Sequence, residues 1–213
     1  ILYPLAVFSQ PASGDGSSGS PYSGVITTPW TLSGDKYCGN LSVTSGTFSI
    51  NPGAILRFGT GNSLSISGTG ALYAVGNSSN YITFTASGTT WGHISFDNTS
   101  STAASSISFC IIEKGAVTGA GYLGAGGGIL IRHSFVTVLS SIIRNNSSDW
   151  GGGIFVDASK SPSINKCLFK GNTTIHGGGG IYFYNGAGAT IENCIFDGNS
   201  VTEPSTSYYT GGG

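Results

Sequence analysis

The chain has 213 residues, of which eight are Lys or Arg and nine Asp or Glu, so that 8% are charged and the formal net charge is −1, against about a quarter charged in an ordinary soluble domain. With no basic cluster there is no electrostatic footprint for nucleic acid or for an anionic membrane surface. The 36 glycines suggest low complexity, but 38% apolar and 11% aromatic residues, with a mean hydropathy of +0.14, supply the apolar surface that a disordered chain lacks.

In chain order, the opening Ile1-Leu2-Tyr3-Pro4-Leu5-Ala6-Val7-Phe8-Ser9 reads either as the remainder of a signal-peptide apolar region or as a capping strand. The complete absence of methionine points to a processed chain or a piece of a longer one. Residues 10–24, rich in Ser, Gly and Pro, read as a linker. Residues 1–36 are therefore expected to be a leader, linker or N-terminal cap, and residues 37–213 one repetitive domain cut in mid-repeat at Gly211-Gly212-Gly213. No run of about 18 apolar residues occurs, so no transmembrane helix is expected in this segment. From Leu41 onward come short alternating stretches such as Leu41-Ser42-Val43, Phe48-Ser49-Ile50, Leu64-Ser65-Ile66 and Ile82-Thr83-Phe84. They are separated by turns such as Asn51-Pro52-Gly53, a pattern of brief strands.

The second half repeats. Gly126-Gly127-Gly128-Ile129, Gly151-Gly152-Gly153-Ile154 and Gly178-Gly179-Gly180-Ile181 place their isoleucines 25 and 27 residues apart. Trailing phrases end in Asn146, Asn172 and Asn199, spaced by 26 and 27. A degenerate copy runs from Trp91-Gly92-His93-Ile94-Ser95-Phe96-Asp97 to Cys110-Ile111-Ile112, with an insertion near residues 115–125, and its Trp91-Gly92 echoes Trp150-Gly151.

Apolar stretches of three to five residues with no 3.6-residue period exclude helices and fit three short strands per unit. A unit that small cannot bury its own apolar face, but a coil stacked on the next at about 4.8 Å can. The reading is an all-β, right-handed parallel β-helix of about 26 residues per coil. Its inward ladders are Ile129/Ile154/Ile181, Ile131/Val156/Phe183, Ile143/Phe169/Phe196 and Ser141/Cys167/Cys194. Ser140, Asn165 and Asn193 are expected in left-handed backbone at a tight bend. Asn146/Asn172/Asn199 are expected to bond up and down the stack through their amides.

Gly-Gly-Gly-Ile followed by Phe169…Asn172 and Phe196…Asn199 resembles the repeat of the chlamydial polymorphic outer-membrane proteins, Gly-Gly-Ala-(Ile/Leu/Val) with Phe-x-x-Asn. Residues 40–213 more broadly look like the pectin-lyase-like β-helix of bacterial surface and secreted proteins. The chain departs from the narrower pattern at Gly128, Gly153 and Gly180, where that family has Ala, and at Ile143, where it has Phe. The resemblance implies a secreted or outer-membrane-associated passenger domain, often adhesive, and brings no catalytic residues with it.

Pectin-lyase-like folds also host polysaccharide lyases and glycoside hydrolases, so an enzyme of those classes is the alternative. Six Asp and three Glu are available, with no Asp-Asp pair or Asn-Thr-Asp phrase. Gly119-Ala120-Gly121-Tyr122-Leu123-Gly124 spells a nucleotide-binding glycine pattern but precedes a strand, not a helix. His176-Gly177-Gly178-Gly179 spells an oxyanion loop without a nucleophile elbow. His93, His133 and His176 lie in separate units and read as turn or surface residues. The four cysteines read as buried thiols on inward positions, with disulfides the competing possibility and no metal-site spacing. No cofactor and no catalytic residue is assigned.

One feature stands out. On the strand after the glycines, outward positions carry Leu130, Phe155 and Tyr182, then Arg132, Asp157 and Tyr184. Such a ladder is suited to stacking sugar rings or docking a partner chain unless the 115–125 insertion or another loop covers it. Arg132 and Asp157 read as a surface ion pair between adjacent coils. The expectation is an extracellular or cell-surface, non-enzymatic domain that binds a polysaccharide or a host or neighbouring cell surface, or serves as a spacer.

Overall fold

The computed structural model describes residues 13–100, 104–119, 121–157 and 161–203. The Ile1–Ser9 opening and Gly211–Gly213 lie outside them. Each coil contributes three strands to the main faces, and each of the last three adds a short fourth. The first holds β1 (Tyr22–Ile26), β2 (Trp30–Leu32) and the start of β3 (Asp35–Val43), which bends around a corner to open the second coil with β4 (Thr47–Ile50) and β5 (Ile55–Phe58). The third is β6 (Leu64–Ser67), β7 (Ala71–Val75) and β8 (Ile82–Ala86); the fourth is β9 (Ile94–Asp97), β10 (Ser105–Ser108) and β11 (Cys110–Glu113). After a 3₁₀ turn at Gly121–Gly124, the fifth holds β12 (Ile129–Arg132), β13 (Val136–Leu139), β14 (Ile142–Arg144) and a short β15 (Ser147–Trp150). The sixth holds β16 (Ile154–Asp157), β17 (Ser163–Asn165), β18 (Leu168–Lys170) and β19 (Thr173–Gly177). The seventh holds β20 (Ile181–Tyr184), β21 (Thr190–Glu192), β22 (Ile195–Asp197) and β23 (Ser200–Val201).

All strand pairings are parallel, with register shifts only in β1–β3 and β15–β19, and they give three faces. Face 1 stacks β1, β3, β6, β9, β12, β16 and β20; face 2 stacks β2, β4, β7, β10, β13, β17 and β21; face 3 stacks β3, β5, β8, β11, β14, β18 and β22. This is a parallel β-helix. Register sets the expected ladders: Ile129↔Ile154↔Ile181 and Ile131↔Val156 on face 1, Ile143↔Phe169↔Phe196 on face 3. Most of their members are fully buried, each such side chain stabilising the fold by about 1.5–3 kcal/mol. Aromatic rings follow the rung spacing, with Trp30 stacked on Phe48 at 4.7 Å and Phe169 on Phe196 at 4.8 Å.

The corners depart from expectation in three places. The left-handed residues at the bend into face 3 are Phe109, Ser140, Lys166 and Asn193, with φ of 48–55°; Lys166, not Asn165, holds this position, because the bend falls directly before the Cys110/Ser141/Cys167/Cys194 ladder. The polar stretches after face 3 form a separate three-stranded sheet, β15-β19-β23, in place of plain turns. Within the stretch read as a linker, Ser13 bridges Ser23, Ser17 bridges Ser20, and Tyr22 opens β1. The Trp-Gly echo is also only one of spelling: Trp91 is buried and stacked on Phe58 at 4.6 Å, whereas Trp150 packs against Tyr182 at 5.3 Å. The two doublets stand three and four residues before their ladder isoleucines.

Candidate functional site

On face 1 the outward positions form two columns. The first reads Ser42, Ser65, Ser95, Leu130, Phe155, Tyr182; the second reads Ser67, Asp97, Arg132, Asp157, Tyr184. Register thus brings the six sequence-predicted residues together and adds what the degenerate repeat hid. Asp97 is the rung neighbour of Arg132. It was legible in principle, because Ile94-Ser95-Phe96-Asp97 aligns with Ile129-Leu130-Ile131-Arg132.

The insertion after β11 folds back over this face. Its end, at Ala125, packs against Leu130 and Phe155, with Trp150 and Tyr182 closing the cluster. Leu130 and Phe155 are consequently 5% and 4% exposed, so these two rungs of the expected stacking ladder are covered; Tyr182 is half-buried and Tyr184 exposed. Phe155 stacks on Tyr182 at 5.5 Å and lies 6.0 Å from Tyr184. The insertion is tied down by Asp149, whose Oδ2 accepts a hydrogen bond from the Gly119 amide at 2.8 Å, and by bridges Ala116–Ser147 and Ala125–Trp150.

Where the insertion stands away from the sheet it leaves a cleft of about 630 Å³. Ser63, Ser95, Asp97 and Arg132 line it on the coil side, and Val117, Gly121 and Leu123 on the insertion side; His93 and Leu130 complete it. The volume lies in the range of small-molecule sites, roughly 300–1,000 Å³. Arg132 reaches both coil neighbours: Nη1 donates to Asp97 Oδ2 at 3.2 Å and Nε lies 3.7 Å from Asp157 Oδ2. The expected surface pair is therefore a triad, and its Asp157 side chain is only 1% exposed. His93 Nδ1 lies 2.9 Å from the Gly126 carbonyl oxygen, which can only accept, so this nitrogen carries the proton. Burial pushes the His93 pKa down, keeping the ring neutral near pH 7.

The other candidates separate from this site. Cys38, Cys110 and Cys167 are buried and Cys194 half-buried, all as free thiols. Burial raises the Cys38 and Cys167 pKa values to about 12 and moves Cys110 the same way, so none of these three is a ready nucleophile. His133 and His176 lie away from the cleft lining. Among the described residues no group of three or more His, Cys, Asp or Glu is placed to hold a metal ion, and no helix is long and apolar enough to cross a membrane.

Parallel coils, inward ladders and corner turns define a right-handed β-helix. The chain belongs to the right handed beta helix region family, whose match covers residues 58–213. No curated protein and no solved structure matches it.

Proposed function

We propose that this β-helix is an extracellular or cell-surface, non-catalytic domain that binds polysaccharide in the cleft between face 1 and the 115–125 insertion. The observation carrying this reading is the mixture of groups lining one cleft. The hydroxyls of Ser63 and Ser95 and the Asp97–Arg132 pair offer hydrogen bonds to sugar hydroxyls, while Val117, Leu123 and Leu130 offer apolar contact to the C–H faces of the rings. Half-exposed Tyr182 and exposed Tyr184 extend the same face beyond the covered cluster. A secreted, adhesin-like placement rests on the repeat resemblance alone.

The test is calorimetry or affinity electrophoresis against a panel of soluble polysaccharides. Binding is expected to weaken on the order of tenfold in Leu123→Asp, which places a carboxylate at the exposed lip of the cleft, and in Arg132→Ala. Arg57→Ala, which breaks an ion pair with Asp35 on face 3, should leave it unchanged. No binding across the panel overturns the reading.

A second reading, a glycoside hydrolase or lyase, has one observation in its favour. Asp97 and Asp157 flank Arg132 two rungs apart, about 9.6 Å between backbone positions at about 4.8 Å per rung, near the wide end of the carboxyl separation of inverting hydrolases, roughly 6.5–9.5 Å. Against it, the Asp157 carboxylate is buried beside the Arg132 guanidinium instead of facing the cleft. Release of reducing or unsaturated ends from any polysaccharide of the panel would favour this reading and overturn the non-catalytic one.

A further inference from the structure

Face 3 differs from face 2 on its outer side. Register stacks Ile55, Thr83, Ile111, Ile142, Leu168 and Ile195 there, one to a coil from the second to the seventh. Ile195 is 63% exposed and the other five are half-buried. The outer row of face 2 carries a hydroxyl on each of the same six coils, at Ser49, Tyr73, Ser106, Thr137, Ser163 and Thr190. An aliphatic outer row is therefore not something the coil requires, and a stripe of this length marks an interaction surface.

Beside it runs a second outer row, Arg57, Thr85, Glu113, Arg144, Lys170 and Asp197. Within the chain Arg57 pairs with Asp35 at 2.8 Å, Arg144 with Glu113 at 2.6 Å and Lys170 with Asp197 at 2.9 Å. From the second coil to the seventh the signs run plus, neutral, minus, plus, plus, minus. Reversed and laid on itself, this row meets no like charge: Arg57 faces Asp197, Glu113 faces Arg144, and Lys170 faces Thr85. A slip of one coil sets Arg144 against Arg144 or Glu113 against Glu113, so only one register escapes repulsion.

We propose that face 3 binds a second copy of this chain, coils antiparallel, about a two-fold axis running along the strands between the fourth and fifth coils. That axis keeps each outer row opposite its own copy. Ile111 packs on the partner's Ile142, Thr83 on the partner's Leu168, and Ile55 covers the partner's Ile195, as between two aligned sheets about 10 Å apart. Each charge already has a partner on its own chain, so the charged row fixes register and orientation while the aliphatic row supplies affinity. The contact is two residues wide, which places it at the small end of interfaces, under about 1,200 Å² in total. The cleft lies on face 1, so this proposal and the polysaccharide reading stand independently.

Sedimentation equilibrium of the chain, from micromolar to millimolar concentration, should show a monomer–dimer equilibrium. Ile142→Asp sets two carboxylates into the centre of the stripe and should weaken the dimer about a hundredfold. The coil itself should keep its urea midpoint, because this side chain faces away from the core. Thr137→Asp, on the outer row of face 2, should leave the dimer unchanged. Arg57→Glu and Asp197→Lys should each weaken self-association on the order of tenfold. An equimolar mixture of those two variants should regain the parent's affinity, since every facing pair is then of opposite charge. The two positions are five coils, about 24 Å, apart in one chain, so only an antiparallel partner can supply that rescue. A monomer at millimolar concentration, a dimer indifferent to Ile142→Asp or equally sensitive to Thr137→Asp, or a mixture no tighter than either variant alone overturns the proposal.

Discussion

The first four coils and the last three share an interior and differ at their corners. In both regions the inward rows are Ile, Leu, Val and Phe, nearly completely buried through the sixth coil and partly exposed in the seventh, where Phe183, Ile191 and Phe196 are 38–39% exposed. In the later coils, however, Asn146 and Asn172 turn inward at 1% and 0% exposure. Asn146 Nδ2 donates to Asn172 Oδ1 at 3.0 Å and Asn172 Nδ2 to Asn199 Oδ1 at 2.9 Å, while the same amides reach the carbonyls of Ile112 and Ile143. The earlier corners use exposed turns, such as Asn51 donating to Ser33 Oγ at 2.7 Å. A β-helix can thus hold one core with two kinds of corner, and only the buried corner imposes a strict phase on the sequence. The insertion and its cleft lie at the junction, between β11 and β12.

The comparison can be broken most severely in the shared core. Phe84→Ala and Phe169→Ala, both fully buried on the same face 3 row, should each lose about 3–5 kcal/mol in urea unfolding. A small loss in one region would show that its interior is not close-packed. Next, Asn172→Ala strips donors and acceptors from a buried ladder and should lose about 3 kcal/mol, against under about 0.5 kcal/mol for Asn51→Ala. Equal losses would end the distinction between corners. Gly153→Ala should lose about 2 kcal/mol, because a Cβ there runs into the Gly180 carbonyl and the Phe169 ring. Gly88→Ala, where nothing lies within 4 Å, should be close to neutral, and a matching loss there would refute the steric account.

The smallest effect is in pH. Cys38 and Cys167 are held protonated up to about pH 12 in the fold but ionise near 9, their ordinary value, when unfolded. Their contribution is fully present below pH 9 and declines as pH rises toward 12. Urea midpoints measured from pH 8 to 11 should fall less in a Cys38→Ser, Cys167→Ser variant than in the parent. An identical fall in both would exclude the thiols as its source.

The glycine triplets show how far the sequence could be read. Their recurrence marked the coil, yet why all three are glycine needs coordinates. The first, at Gly126, Gly151 and Gly178, has φ of 65–71°, where a side chain is strained. At the third, a Cβ on Gly128 would sit 2.7 Å from the Gly153 carbonyl oxygen. Alanine in that place, as in the repeat these phrases resemble, does not fit this backbone.

Period, inward ladders and the asparagine stack were written in the sequence, because identical residues at equal spacing must meet when strands run parallel in register. The site was not. That Leu130 and Phe155 are covered, that Arg132 is shared between Asp97 and Asp157, and that a cleft opens beside them depend on where an aperiodic insertion folds back. Such a segment has no repeat to announce its position, so only tertiary packing decides it.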